Sequence, residues 1–444
     1  MDFRGDKFDV KQLYQLYRGC KGYETDTRVI KGGEMFFALK GDNFDANAFA
    51  GQAIEKGAFY SVVDNVDLYE NSSPELQEKL ILADDALEAF RALACHHRSQ
   101  FDIPVVGITG TNGKTTTKEM VNAVLGAAFK VTCTRGNRNN HIGVPMTLLE
   151  ITGETEIAVV EMGANHPGEI EASVNIALPT HGLVTNVGQA HLEGFGSFEG
   201  VKKTKGEMYD YLAAHDGVAF YNADSSDLTE MVRSREGISL VPYGVEYSQM
   251  RVLRTSRVNP YLNLEVENAG KVTRICTKLI GNYNAANVAA ALAVASYFEV
   301  DLDAAVAAIE AYVPSNSRSQ LIDTGRNIVI LDAYNANVSS MNAALDNFAS
   351  TSFPNKALVL GDMLELGNFS KDAHRQILEK ARSVTSEIYM VGTSEFKAVA
   401  DEGDLVFDTS LQLKEFFRKC KPEGKTILIK GSNATRLPLI MDVL

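Results

Sequence analysis

An apolar strand that breaks into a glycine-rich loop and reopens as a helix is compatible with few folds. Residues 105–116 have this form: Val105-Val106-Gly107-Ile108-Thr109-Gly110-Thr111-Asn112-Gly113-Lys114-Thr115-Thr116. Glycines let backbone N–H groups turn inward around phosphate oxygens, Lys114 brings a point charge to the β- and γ-phosphates, and Thr115 offers a hydroxyl to Mg²⁺. The ligand predicted is a nucleoside triphosphate held by Gly110, Thr111, Asn112, Gly113, Lys114, Thr115 and Thr116. The common form of such loops has a glycine five residues before the one that precedes lysine. Here that position is Ile108, and the glycines stand at 107 and 110, so a different class of phosphate loop is implied. The plainer possibility is a glycine-rich turn between strand and helix. An i, i+4 stripe through Met120, Val121, Val124, Leu125 and Phe129 predicts the helix, with its positive dipole end at the loop.

A chain of 444 residues is long enough for three domains, each with its own core. Its 43 basic and 57 acidic residues leave a formal charge of −14, which disfavours nucleic acid and anionic membranes as partners. The five cysteines are scattered and form no close pairs, so neither a zinc site nor a disulfide framework is expected, and a reducing cytoplasm fits. The first residues lack an apolar signal core, and no stretch approaches the ~20 apolar residues of a membrane span.

Residues 1–102 read as mixed α/β, with strands such as Met35–Leu39 and Tyr60–Val63 around a helix near 46–56. From 103 to 313, apolar strands alternate with helices, the pattern of a parallel sheet covered on both faces. Its strands end in polar tips: the phosphate loop, Glu161, and Asn186 followed by His191. In open parallel sheets ligands sit at the carboxyl ends of strands, so these tips are expected to share one crevice. Val313-Pro314-Ser315-Asn316-Ser317 is the candidate linker, and 314–444 begin a fresh series with tips at Asp332, Asp362, Thr393 and Ser432. The expected class is α/β in three domains: an N-terminal one, a central phosphate-loop parallel-sheet ATPase domain and a C-terminal Rossmann-like domain.

Glu161 at a strand tip can hold Mg²⁺ or stand as an ordinary capping carboxylate. His191, in a glycine-flanked loop, can reach a metal or simply bond within the loop. Lys202, Lys203 and Lys205 on a helix over 199–213 read as a solvated basic face. Asn284 and Asn287 share a face of an otherwise apolar helix, where they either read an adenine edge or tie neighbouring loops.

Together these stretches resemble the Mur ligases, ATP-dependent amide-forming enzymes of peptidoglycan precursor synthesis. The resemblance spans nearly the whole chain. It is carried by Glu161-Met162-Gly163-Ala164-Asn165-His166-Pro167-Gly168-Glu169-Ile170, by Gly188-Gln189-Ala190-His191-Leu192-Glu193-Gly194-Phe195-Gly196-Ser197, by Asp332-Ala333-Tyr334-Asn335-Ala336-Asn337, and by Leu360-Gly361-Asp362-Met363-Leu364-Glu365-Leu366-Gly367. It points to the branch that joins D-alanyl-D-alanine to UDP-N-acetylmuramoyl-tripeptide. A sibling ligase, a folylpolyglutamate synthase or a non-catalytic nucleotide switch are the other readings. The resemblance implies ATP and Mg²⁺ as cofactors, no nucleic acid partner, a cytoplasmic location and a monomer. It implies catalytic roles for Lys114, Glu161, His191 and Lys205, with Thr115, Glu161, His191 and a carbamylated Lys205 at the metals. Asn284, Asn287, Arg318, Asp332 and Asn335 are then expected toward ATP. Asp26, Arg28, Asn137, Asn139, Asn140, Tyr334 and Asn337 are expected toward the other substrates.

Overall fold

Parallel strands covered on both faces read as unbroken apolar runs, and such runs form the spine of this molecule. The computed structural model describes residues 1–444 apart from 6, 7, 42, 191, 256–258, 269 and 316. The phosphate-loop strand, Val105–Thr109, lies in a six-stranded sheet of order Ser239–Tyr243, Val218–Asn222, His181–Val184, Val105–Thr109, Ile157–Glu161, Val131–Cys133. Register pairs His181 with Val106 and Val184 with Thr109, all in parallel sense. Every residue of the 105–109 and 157–161 strands is buried.

The chain gathers into two compact units, one of Met1–Val105, Thr132–Val160 and Ala172–Leu178, the other of Val106–Val131, Glu161–Glu171 and Pro179–Leu444. In the first, Tyr23–Glu24, Met35–Phe37, Tyr60–Val63 and Leu80–Leu82 form a four-stranded parallel sheet in chain order. Phe36, Ala38, Val63, Leu80 and Leu82 fill one face with Ala46, Ala50 and Ala53. The helix Ala86–Arg98 starts at Asp85, whose carboxylate accepts from the Leu87 and Glu88 N–H groups. Its Phe90 lies 4.8 Å from the Phe37 ring.

In the second unit, the helix Lys114–Leu125 follows the phosphate loop, and its buried face of Met120, Val121, Val124 and Leu125 is the stripe seen in the sequence. The helices Phe198–Ala214 and Asn284–Tyr297 also belong here. A further six-stranded sheet has the order Gln320–Asp323, Ile328–Asp332, Thr426–Lys430, Lys356–Gly361, Ile388–Val391, Leu405–Phe407. Its first pair is antiparallel and the rest are parallel. The order jumps between the 328–332 and 356–361 strands, with the last strand inserted between them. Asp332, Lys430 and Gly361 therefore stand side by side at a topological switch point, where open α/β sheets place their ligands. Cores lie on both faces, around Met341, Phe348, Leu360 and Ile377 and around Val329, Val359, Phe417 and Ile429. The linker residue Asn316 lies outside the described residues.

Candidate active site

The phosphate loop takes its shape from two glycines at positive φ, where a side chain would be strained and crowded. Gly110 has φ +139°, and a Cβ there would lie 2.0 Å from Thr185 Oγ1. Gly113 has φ +77° and would meet Asn287 Oδ1 at 2.8 Å. Two loop amides are already committed: Thr111 N–H donates to the Asn186 carbonyl at 2.9 Å and Asn112 N–H to Asn186 Oδ1 at 3.0 Å. The donors that face a phosphate are thus those of the helix's first turn, which have no carbonyl one turn back. Asn186 was seen in the sequence only as a strand tip.

Lys114 curls over this loop and donates to the Gly110 carbonyl at 2.8 Å and the Thr111 carbonyl at 3.1 Å. Burial lowers its pKa to about 8, against the pull of Glu161 and with the help of Arg318. Thr115 Oγ1 donates to Glu161 Oε1 at 3.0 Å, in a site where both side chains are buried. Met162 N–H donates to the Ile108 carbonyl, so the chain leaving Glu161 runs beside the strand that feeds the loop. Among the described residues no three His, Cys, Asp or Glu side chains gather as a metal site. A hydroxyl and a carboxylate are nevertheless the hard oxygen donors that Mg²⁺ takes from a protein when phosphates and water supply the rest.

The basic helix divides by burial. Lys202 is ion-paired at the surface with Asp227 at 3.1 Å and Glu230 at 3.2 Å. Lys205, one turn on, is buried with only 2% of its surface exposed. Its Nζ lies 3.5 Å from the Ala164 carbonyl and 5.5 Å from the Phe195 ring centre. Burial pushes its pKa far down, and Lys114 adds to the effect, opposed by Glu207 and Glu169. A lowered pKa favours the neutral amine, which is a nucleophile, over the ammonium, which is not. His191 lies outside the described residues.

Asn284 and Asn287 are buried and form a relay: Thr117 Oγ1 donates to Asn287 Oδ1 at 3.1 Å, Asn287 Nδ2 to Asn284 Oδ1 at 2.9 Å, and Asn284 Nδ2 to the Ile280 carbonyl at 2.8 Å. They tie the phosphate-loop helix to the loop before their own helix. Each carbonyl oxygen accepts one bond here, which leaves a second lone pair.

At the switch point, Asp332 accepts from Lys430 Nζ at 2.7 Å and from Ser319 N–H at 3.2 Å, and the same ammonium reaches the Asn335 carbonyl at 3.2 Å. The Arg318 guanidinium stacks 3.7 Å from the Tyr334 ring centre. Asn335 accepts from the Ala336 N–H through its own side chain. Asn337 caps the helix Val338–Ser350 and donates to Asn112 of the phosphate loop. Tyr334, Asn335, Asn337, Ala190, Leu364, Glu365 and Ser432 border a cavity of about 160 Å³. In the sequence Ser432 stood out only as a strand tip and Glu365 only within a family motif; the parallel sheet brings both to the Tyr334 loop.

The remaining expected residues lie in the first unit. Arg28 clasps Asp26 with a bidentate pair, Nε to Oδ1 at 2.9 Å and a terminal nitrogen to Oδ2 at 2.7 Å, which lowers the Asp26 pKa to about 2. Both line a pocket of about 560 Å³ with Phe36, Phe44, Phe49, Gln52 and Lys56. Phe44 and Phe49 stack at 5.5 Å and 17°. Exposed aromatics of this kind carried no signal in the sequence beyond their type. Asn140 Oδ1 accepts from the Ile142 and Gly143 N–H groups and starts the helix Gly143–Leu148. Asn139 N–H donates to the Asn137 carbonyl at 2.7 Å, and Asn137 is exposed.

A phosphate loop with a buried Thr–Glu pair and a buried lysine, followed by a second nucleotide-type sheet, defines an ATP-using enzyme class with a known family. The Mur ligase middle domain matches residues 108–295 and the Mur ligase, glutamate ligase domain matches 317–433; the chain belongs to the Mur ligase family. Its relatives include the UDP-N-acetylmuramoyl-tripeptide–D-alanyl-D-alanine ligase of Escherichia coli (strain K12), 36% identical over 440 residues, 95% of this chain and 92% of that one. The enzyme of the same name from Bacillus subtilis (strain 168) is 35% identical over 389 residues, covering 83% and 82%. Among solved structures, a MurF from Acinetobacter baumannii superposes with a TM-score of 0.83 at 28% identity, covering 98% of this chain and 97% of that one.

Proposed function

We propose that the protein is an ATP-dependent amide ligase that joins D-alanyl-D-alanine to the terminal carboxyl of UDP-N-acetylmuramoyl-tripeptide. The products are UDP-N-acetylmuramoyl-pentapeptide, ADP and phosphate. The observation that carries this reading is the grouping of Lys114, Thr115, Glu161 and Lys205 about one phosphate loop. The names of relatives that align along nearly the whole chain support the choice of substrates. The reaction belongs to peptidoglycan precursor synthesis, on which cell shape and division depend, and its soluble substrates put it in the cytoplasm. Among the described residues no helix is long and apolar enough to cross a membrane. The working unit in this proposal is the monomer. Its domains are 1–102 for the UDP-linked substrate, 103–313 for ATP, and 314–444.

A carboxylate is a poor acylating agent, which is why ATP is consumed. The γ-phosphoryl passes to the substrate carboxylate and gives an acyl phosphate and ADP. The dipeptide nitrogen then attacks the acyl carbon and loses a proton, and the tetrahedral intermediate expels phosphate to leave the amide. Lys114 exchanges the Gly110 and Thr111 carbonyls for the β- and γ-phosphates and carries charge to them. Thr115 and Glu161 would hold one Mg²⁺, and His191 with a carbamylated Lys205 a second. Bound Mg²⁺ supplies neutralisation of the charge in phosphoryl transfer. The burial that lowers the Lys205 pKa favours the neutral amine, the form that adds to CO₂, with loss of a proton, to give a carbamate anion. Asn284, Asn287, Arg318, Asp332 and Asn335 serve the nucleotide, and Tyr334 and Asn337 the incoming amine. Asp26, Arg28, Asn137, Asn139 and Asn140 serve the UDP-linked substrate.

Phosphate release tests this reading. Purified protein with ATP, Mg²⁺ and UDP-N-acetylmuramoyl-tripeptide should release phosphate when D-alanyl-D-alanine is added. Release with a single amino acid in its place, and not with the dipeptide, would assign the chain to a sibling reaction.

A further inference from the structure

One wall of the small cavity beside Tyr334 and Asn337 is a loop in which Glu365 takes a left-handed conformation that a residue with a side chain does not favour. Glu365 has φ +62° and Gly367 φ +53°. For a residue with a side chain the left-handed region is unfavourable, and it persists where surroundings fix it. The anchors lie at the root of the loop. Met363 N–H donates to His374 Nε2 at 2.9 Å and Leu364 N–H to Ser432 Oγ at 3.3 Å. Phe396 N–H donates to Asp362 Oδ1 at 3.1 Å, and further on Glu193 N–H donates to the Glu365 carbonyl at 3.3 Å.

His374 is fully buried in the helix Ser370–Val384, edge-on to the Phe396 ring at 4.8 Å, with Nδ1 2.8 Å from the Ser370 carbonyl. A backbone N–H can be accepted only by a ring nitrogen without a proton, so Nε2 is bare and Nδ1–H donates to Ser370. The ring is therefore neutral. Burial lowers its pKa, while the Ser370 carbonyl, Asp362 at 3.9 Å and Glu395 pull the other way. The imidazole touches none of the phosphate-loop residues named above, and the proposed chemistry makes no use of it.

We propose that His374 is a positioning residue for the incoming amine: by accepting the Met363 N–H it sets Leu364 and Glu365 as the wall against which a small zwitterionic dipeptide is seated. This rests on the proposed function, which brings the dipeptide to that cavity. A proton on Nε2 would set two N–H donors face to face and release the wall.

The test is the separation of KM values for D-alanyl-D-alanine and ATP in wild type, His374→Phe and His374→Gln. Removing the acceptor with His374→Phe should raise KM for the dipeptide about tenfold, the size of one lost hydrogen bond to a fixed donor, with KM for ATP within about twofold. His374→Gln, whose Oε1 takes the place of Nε2, should restore most of the loss. An unchanged dipeptide KM in His374→Phe, or equal rises in both KM values, would overturn the proposal. If His374→Phe does not fold, the ratio of dipeptide KM between wild type and His374→Gln decides. It should rise as pH falls into the lowered histidine range, and a flat ratio would overturn the proposal. Absence of dipeptide-dependent turnover in wild type defeats the functional reading itself, whereas turnover without the KM separation defeats only the role of His374.

Discussion

The Asn337 side chain donates to Asn112 Oδ1 at 2.8 Å, and Asn112 donates to Ser339 Oγ at 2.8 Å, which donates back to Asn337 Oδ1 at 2.9 Å. This ring of three side chains joins the phosphate loop to the cap of the helix Val338–Ser350, across more than 220 residues of sequence. Asn337 thus has two duties, capping its own helix and holding the loop that meets ATP.

Removal of either end of the ring should therefore weaken the same interaction. Asn112→Ala and Asn337→Ala are each expected to lower kcat/KM for ATP, and the double variant to lose less than the sum, with a coupling of about 1 kcal/mol. A double-mutant cycle on steady-state rates reads this directly. Additive losses would mean that the two residues act separately.

Lys114→Ala should reduce kcat by about 10²–10³-fold or more, because it removes a preorganised charge from the transferred phosphoryl group. Circular dichroism and thermal unfolding should remain close to wild type. Turnover near the wild-type rate would show that this lysine does not serve the phosphates.

Among the three lysines of the helix Phe198–Ala214, only Lys205 is buried away from solvent and close enough to Lys114 to feel its charge. Lys202→Ala and Lys203→Ala should leave activity within about twofold, since surface ion pairs contribute little. Lys205→Arg keeps a long basic side chain but cannot form a carbamate, and should abolish turnover. Depletion of CO₂ from the assay should slow the wild type, with recovery on adding bicarbonate. Activity of Lys205→Arg comparable to wild type would remove carbamylation from the account.

How far the sequence discloses this arrangement depends on the range of the interaction involved. The phosphate loop, its helix and the apolar strands are local patterns, and each was legible as a period or a turn. Glu161 stood out as the polar end of an apolar run. The separation of Lys205 from Lys202 and Lys203 came only with the family resemblance, because helical spacing alone leaves all three as candidates for a solvated face. Ser339 and His374 were not legible, and Asn186 and Glu365 stood out only as a strand tip and as part of a family motif. Their roles are set by hydrogen bonds between segments that the sheet order brings together, and a residue's own neighbours in sequence carry no trace of such a partner. Asn284 and Asn287 were read as either adenine contacts or loop ties; the relay from Thr117 to Ile280 supplies the tie, and the second lone pair of each amide oxygen stays open for the nucleotide role proposed above.

His181 gives a pH test that is independent of catalysis. It is packed among Phe220, Tyr297 and Phe298, and burial lowers its pKa to about 4 from the ordinary 6.5. Between those values the unfolded chain binds a proton that the native state refuses, so stability falls as pH drops from 6.5 toward 4. The loss should amount to roughly 2–3 kcal/mol. Urea unfolding of His181→Phe should show a pH slope smaller by about one proton over that interval. Equal slopes in the two proteins would mean that His181 titrates normally.

The central claim is that the chain forms an amide between a UDP-linked tripeptide and D-alanyl-D-alanine. Mass spectrometry of the product from purified protein, ATP, Mg²⁺ and both substrates tests it most directly. The account expects a UDP-N-acetylmuramoyl-pentapeptide, heavier than the starting tripeptide by the dipeptide less one water, with one phosphate released per product. ATP hydrolysis with the tripeptide recovered unchanged, or coupling of a different amine in preference to the dipeptide, would contradict it.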